Sequence, residues 1–400
     1  MQVDRADRYR AAPREVAHRR LGIALLGEQV GGQFDERGVR GLRAVARQPA
    51  CARWFRGGHR CPALVRAESY RLKVERCSTK VEVFVSGGTD GAGAAVTQGS
   101  CGGRVALVTG ASQGGTGTAI ALRLAAEGAK VAITARTVQG LEATRARIEA
   151  LGGSCLVLPC DLSDPAGGRS TLVARTAEAF GPVDILVNNA AVNGYKPFET
   201  VTPAHLENSL QVNLWAPWEL MCAAIGPMRE AGRGAILNLT SFSAELPPGP
   251  PFPTNKPATG GFVYGSAKAA LNRLTVAAAS ETHGQGIAVN GLTPQAAIAT
   301  PALIEGGWID DTMYEPMDTM AEAALALVTG DPAVLTGRIA YSLQLLVELR
   351  RPVYDLHGVA LVEGWQPADI PAVITRQEAN LLGRGWPDAY TFGRVHSPRP

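Results

Sequence analysis

Between residues 104 and 341 short apolar runs alternate with longer stretches of helical periodicity. Apolar runs lie at 105–108, 131–134, 155–158 and 185–187, and again at 234–239 and 287–290. Helical patterns fill 118–127, 141–151, a stretch ending at Phe180, and an Ala-rich stretch over 264–279. Strands alternating with helices of roughly 10–15 residues predict βαβ units, hence an α/β fold with a doubly wound parallel sheet covered on both faces. Before residue 100 the periodicity is weak and Gly31-Gly32, Gly57-Gly58 and Gly87-Gly88 interrupt it. A short strand is expected at 80–85, where Val81, Val83 and Val85 alternate with other residues. The segment 86–103 (SGGTDGAGAAVTQGSCGG) reads as a flexible linker. Residues 342–400 keep some helical pattern and end in Gly, Pro and Arg. The division is thus 1–85, 86–103, a catalytic domain at 104–341, and an extension at 342–400 that packs on the domain, reaches a neighbouring subunit or is partly disordered.

A chain of 400 residues would ordinarily hold two or three domains, but the pattern reduces this one to a single α/β domain with two extensions. With 46% apolar and 19% charged residues and a mean hydropathy of +0.02, it can bury a sizeable core. No run approaches the roughly 18 apolar residues of a membrane span. The six Arg in the first 20 residues argue against a secretory signal. Seven Cys at irregular spacing do not form a disulfide framework, so a cytoplasmic protein is expected. His59 between Cys51 and Cys61, with Cys77 beyond, lacks the paired spacing of a zinc site, and no metal is expected.

The net charge of +3 hides a split: residues 1–100 carry 16 Arg and 2 Lys against 10 acids, which is +8, and the rest carries −5. The basic front lacks the aromatic interleaving of a nucleic-acid module, and no nucleic-acid partner is expected. Arg outnumbers Lys 33 to 6 overall, as coding bias in a GC-rich genome would produce, and no Met lies between Met1 and Met221. The front is therefore expected to be disordered or not translated natively.

Candidate chemistry begins after the first apolar run. Thr109-Gly110-Ala111-Ser112-Gln113-Gly114-Gly115-Thr116-Gly117 opens directly into a helix, where glycines let the backbone approach a pyrophosphate and the helix N-terminus favours its charge. The loop resembles the TGxxxGxG signature of the short-chain dehydrogenase/reductase family, with one residue inserted. That resemblance implies a Rossmann-type fold and a nicotinamide cofactor held by Thr109, Gly110, Ser112, Gln113, Gly115, Thr116 and Gly117. The second run ends at Arg136, with no carboxylate to bind both ribose hydroxyls; a guanidinium there pairs with a 2′-phosphate, which favours NADP(H) over NAD(H). Asp161-Leu162 matches the family's adenine position, and Asp161 equally suits a helix N-cap. Asn188-Asn189-Ala190-Ala191 resembles the family's NNAG motif, which implies that Asn188 ties the central strands together, with Thr109 as its partner, and that Ala190 lies near the adenine ribose.

Tyr264-Gly265-Ser266-Ala267-Lys268 puts Tyr and Lys one helical turn apart, where the ammonium favours the phenolate of an acid–base tyrosine. It matches the family's YxxxK motif. The resemblance extends to Ser241, which would hydrogen-bond the substrate carbonyl, and to Asn213, which would place a water linking Lys268 to solvent. Pro294 to Thr300 is similar to the segment that cradles the nicotinamide, with Gln295 in place of Gly, and implies contacts from Pro294, the Ile298 backbone and the Thr300 hydroxyl. Residues 320–329 and 335–341 look like the family's last helix and last strand. Two stretches bear on the substrate cleft: the Pro-rich 244–261, too rich in Pro for a helix, is either a wall or lid over it or a surface excursion, and 301–320 is expected as a mobile loop. Trp308, Met313, Tyr314 and Met317 in the latter suggest an apolar substrate, and such residues are as often part of a core.

The expectation is an NADP(H)-dependent carbonyl reductase or alcohol dehydrogenase, acting as a homodimer or homotetramer on an apolar carbonyl, alcohol or related acyl substrate. The alternative is a non-catalytic NAD(P)-binding sensor or partner module on the same fold; the full Asn213, Ser241, Tyr264 and Lys268 set argues against it.

Overall fold

In the computed structural model, the described residues are 99–112, 114–193, 196–246, 261–306 and 314–375. The strand expected at 80–85, Gln113, Trp308, Met313, most of the Pro-rich stretch and the last 25 residues lie outside them.

Strands β1 (Val105–Thr109), β2 (Lys130–Thr134), β3 (Cys155–Val157) and β4 (Ile185–Asn188) form where the apolar runs predicted them, as do β5 (Gly234–Leu239) and β6 (Ile287–Thr293). Between them run α1 (Thr116–Ala126), α2 (Val138–Ala150) and α3 (Leu172–Phe180). Next come α4 (Pro203–Leu210), α5 (Ala216–Ala231) and α6 (Phe262–Thr282). After β6 follow β7 (Ala297–Ile298), α7 (Pro301–Gly306), β8 (Tyr314–Glu315), α8 (Met317–Thr329), β9 (Ile339–Tyr341) and α9 (Ser342–Leu349). Seven strands make one parallel sheet in the order β3-β2-β1-β4-β5-β6-β9, while β7 and β8 pair separately.

Side chains alternate across each strand, so the sheet has two apolar faces. Val108, Ile133, Val187 and Leu237 pack with Ile120, Leu141, Leu325 and Leu343 of α1, α2, α8 and α9. Leu107, Ala132, Leu186 and Ile236 pack with Leu172, Leu220 and Ala279 of α3, α5 and α6. Each fully buried Leu or Ile is worth about 1.5–3 kcal/mol, and this two-sided burial makes the strands apolar throughout. The chain winds outward from β1 to β3, crosses back and winds the other way from β4. The crevice at the C-terminal ends of β1 and β4 is the switch point where ligands of such sheets bind.

Three stretches take a definite form in the structure. The end of the linker segment belongs to the domain: Cys101 is buried, its N–H donates to the Glu127 carbonyl, and Glu127 Oε2 accepts from Ser100 N and Oγ. Residues 342–375 pack on the domain. Leu343, Leu345 and Leu346 of α9, together with Val353, Ile370 and Val373, complete the α1/α8 core, and Arg351 pairs with the buried Glu322, which also holds the buried Arg123. The expected loop at 301–320 contains α7, β8 and the start of α8, because β7–β8 pairing and the burial of Thr319 and Met320 organise its return.

Among the described cysteines, Cys101 and Cys160 are buried, Cys155 is half-buried and Cys222 is exposed; all four are free thiols. Among the described residues no three His, Cys, Asp or Glu side chains cluster as a metal site, and no helix is long and apolar enough to cross a membrane.

Candidate active site

The turn after β1 is shaped by two glycines. Gly110 has φ +67°, and a Cβ there would sit 2.8 Å from the Ala190 Cα. A Cβ on Gly117 would run into the Asn189 side-chain amide and sit 2.5 Å from the Gly110 carbonyl oxygen. Both glycines therefore allow α1 and the end of β4 to close on the loop. Gly115 differs: among the described residues, a Cβ there would meet nothing within 4 Å. It is also the N-cap of α1, with no side chain capping the first-turn amides. Free N–H groups at a helix N-terminus beside open space suit a phosphate, so these residues fit the pyrophosphate of a dinucleotide.

Thr109 is buried; its hydroxyl accepts from the backbone N–H of Asn189 and Ala190, both at 3.0 Å. Asn189 Nδ2 in turn donates to the carbonyls of Thr109 (2.9 Å) and Gly110 (3.2 Å). The expected Asn188–Thr109 tie is thus corrected. Asn188 lies opposite Asn238 in the β4–β5 register, and its Nδ2 donates to Asn238 Oδ1 at 2.8 Å. Asn238 passes the chain of bonds to Thr275 on α6. The next residue along an extended strand faces the other way, so Asn189 reaches β1 while Asn188 joins the central strands from the other side.

Of the residues expected on the adenine side, Arg136 is exposed just beyond β2. Asp161 accepts from Ser163 N and Oγ, a local turn and not a helix cap, because helical structure resumes only at Arg169. Those bonds from Ser163, and beyond them the positive charge of Arg136, hold the Asp161 carboxyl below its ordinary range. Leu162 is buried, and its carbonyl is bound by Arg169, a buried side chain that also grips both oxygens of Glu219 and Gln211 Oε1.

Asn213 sits within a π-helical turn, Gln211–Trp215, between α4 and α5. Pro217 has no N–H to give to the carbonyl four residues earlier, which is that of Asn213, and this gap in the hydrogen-bond ladder accounts for the bulge. The Asn213 side chain is buried: Nδ2 donates to the Val192 carbonyl (2.8 Å) and Ser209 Oγ (3.1 Å), and Oδ1 accepts from Val192 N. It ties the bulge to the chain leaving β4.

Ser241 follows β5 and starts a turn in which its hydroxyl accepts from Ser243 N. A Cβ on Gly265 would strike the Ser243 carbonyl, so glycine between Tyr264 and Ser266 lets α6 lie against this turn. Tyr264 is half-buried and Lys268 is buried. Lys268 Nζ donates to the Leu239 carbonyl at 2.7 Å and lies 5.6 Å from the centre of the Tyr264 ring. Burial pushes its pKa down to about 7.

Across the sheet from this group, Pro294 to Thr300 follows β6. Ile298 is buried and its carbonyl accepts from Thr300 N at 2.7 Å; Thr300 and Pro294 are half-buried. Asn189, Asn238, Gly265 and Arg169 escaped sequence reasoning because their partners lie far along the chain. The same holds for Glu315, buried under the 294–298 segment.

The family model for the short chain dehydrogenase matches residues 104–305. The short-chain reductase protein NovJ of Streptomyces niveus is 35% identical over 222 residues, 54% of this chain and 79% of that protein. D-threitol dehydrogenase of Mycolicibacterium smegmatis is 35% identical over 193 residues, covering 48% of this chain and 69% of that one. Among solved structures, a metagenomic short-chain oxidoreductase in complex with NADP is similar with a TM-score of 0.51 and 32% identity, over 60% of this chain and 97% of that one. A short chain dehydrogenase of Burkholderia cenocepacia, also in complex with NADP, has a TM-score of 0.51 and 32% identity, over 60% and 96%.

Proposed function

Given that the chain belongs to the short-chain dehydrogenase/reductase family, whose members are oxidoreductases that use a nicotinamide cofactor, we propose that it is an NADP(H)-dependent reductase of apolar carbonyls, or the reverse dehydrogenase, with Tyr264 as general acid/base. The observation that carries this is the buried Lys268 below the Tyr264 ring, beside the turn that holds Ser241. When bound, the cofactor supplies the hydride to the carbonyl carbon. The Ser241 hydroxyl donates a hydrogen bond to the carbonyl oxygen, and Tyr264 Oη delivers the proton that makes it an alcohol. Lys268 in its ammonium form favours the phenolate left behind. The proton returns along Lys268 and a water held at the bulge by Asn213, whose carbonyl lacks its ordinary helical donor because residue 217 is proline.

Phe198, stacked on Phe262 with ring centroids 4.4 Å apart, puts an exposed aromatic surface two residues before Tyr264 and supports an apolar substrate. The exposed pair Trp215 and Trp218 on the π-turn and α5 supports assembly as a homodimer or homotetramer. Titration with NADPH and NADH, followed by a panel of ketones, acyl thioesters and secondary alcohols read at the nicotinamide absorbance, tests the reading. Tight NADPH binding with turnover of an apolar carbonyl is expected; binding without turnover of any compound would make the protein a non-catalytic sensor.

The cofactor choice rests on Arg136, exposed beyond β2 with no carboxylate at the strand end. Arg136→Asp should weaken NADPH binding about tenfold to a hundredfold, the worth of one charge-assisted phosphate contact, and strengthen NADH binding. Equal loss for both cofactors would contradict a 2′-phosphate contact.

A further inference from the structure

The 294–298 segment lies in the stretch that the family resemblance sets against the nicotinamide, and it is held through its backbone. Gln295 stands where the family has glycine. Its side chain is buried, yet among the described residues neither Nε2 nor Oε1 has a partner. The side chain therefore does not fix the segment; the backbone does. Gln295 N donates to Glu315 Oε2 at 2.9 Å and to Ser342 Oγ at 3.0 Å, and Ala296 N donates to the same Glu315 oxygen at 3.2 Å. The other oxygen of Glu315 accepts from Thr319 Oγ1 at 2.6 Å, and Ser342 adds a side-chain bond. The Glu315 main chain completes the clasp: its carbonyl accepts from Ala299 N at 2.9 Å, within the β7–β8 pairing. One residue thus binds 295, 296 and 299 and anchors them to α8 and to the first residue of α9.

We propose that Glu315 is the positioning residue of the nicotinamide-side segment: its acceptor-only carboxylate, gathering the N–H groups of Gln295 and Ala296, holds 294–298 in the shape that seats the nicotinamide half of the cofactor. The carboxylate is fully buried behind the segment and faces four donors, so it acts through the backbone and not on substrate. A carboxylate meets such a donor set because it has only lone pairs to offer; an amide in its place brings an N–H against one of them. In the ionised form the bonds are charge-assisted, and with Glu315 fully buried they are shielded from solvent, which makes each a strong constraint. That burial lifts the carboxyl to about pKa 7 is consistent with a group kept for its geometry at a cost in desolvation.

This inference rests on the proposed cofactor site, and the test separates the two. With the full-length protein, the binding of NADPH is compared with that of 2′-phospho-ADP-ribose, which has the adenine half and no nicotinamide. Glu315→Gln should bind the fragment within about twofold of wild type but whole NADPH about tenfold more weakly, with a similar fall in kcat, the scale of one lost charged bond. Ser342→Ala, which keeps the Glu315 side chain and removes one of its donors, should give the same asymmetry at about threefold and keeps the test open should Glu315→Gln not fold. A structural role alone would weaken fragment and whole cofactor equally, together with melting temperature. That result, or NADPH affinity and kcat within twofold in both variants, overturns the proposal. A wild type that binds neither compound overturns the cofactor site itself, and the Glu315 proposal with it.

Discussion

Tyr264→Phe should lower kcat about a hundredfold to ten-thousandfold, the range lost when a positioned general acid is removed, while leaving NADPH affinity within about twofold. The variant keeps the ring that lies over Lys268 and removes one oxygen from a half-buried position. The structural cost is therefore small beside the chemical one. What disappears is the proton donor within the group formed by Ser241, Tyr264 and Lys268. Without it a hydride arriving at the carbonyl carbon would leave an alkoxide that only a hydrogen bond from Ser241 could stabilise. Steady-state turnover of a substrate found in the carbonyl panel, alongside a cofactor titration, measures both effects. Full turnover by Tyr264→Phe would remove Tyr264 from the acid–base role and with it the mechanism proposed above.

Lys268→Met should abolish at least about 99% of turnover, on the same scale of general acid–base loss, and at the same time raise the melting temperature. The two effects have one cause. Lys268 is buried against β5, with the Leu239 carbonyl as its hydrogen-bond partner, and burial holds its pKa near 7. Folding therefore opposes its charged form. Between about pH 7 and the ordinary value of 10.5 the unfolded chain binds more protons at this position than the folded chain does. Stability from this group consequently rises with pH across that window and is lowest at and below pH 7. Methionine has similar length and no charge to desolvate. Its advantage over lysine is expected to be largest at or below pH 7 and to shrink as pH climbs towards 10.5. The single orphaned carbonyl at Leu239 offsets part of the gain, by about 1 kcal/mol. Thermal melts of the two proteins between pH 6 and 9.5 read the difference; a variant less stable than wild type at every pH would mean that the lysine is solvated in place. A function-bearing residue that costs stability is common in active sites.

How much of this was legible in the chain follows from the range over which each feature acts. The strands were legible because burial on both faces demands continuous apolar runs, as at 105–108 and 185–187. The loop after Thr109 and the Tyr264/Lys268 pair were legible because a helix or a turn sets their geometry within a few residues. The partner of Asn188 was not: whether it faces Thr109 or Asn238 depends on strand register, and the contact joins residues 50 positions apart. Nothing near Arg123 in the chain marks it as buried; it is buried because Glu322, 199 residues later, comes to meet it. The tail beyond 341 kept some helical pattern, but the pattern did not show where it docks: Val353, Ile370 and Val373 join the core formed with α1 and α8, far away along the chain.

The order of strand and helix, the glycine turn and the one-turn spacing of Tyr264 and Lys268 were legible along the chain, because local sterics and spacing are enough to specify them; Ser241 was reached only through the resemblance to the family. The protonation of Lys268, the clasp of Glu315 on Gln295 and Ala296, and the closing of the core by the segment after β9 came from folding alone. Desolvation and hydrogen-bond satisfaction depend on which distant groups are packed around a residue, and no spacing along the chain encodes that.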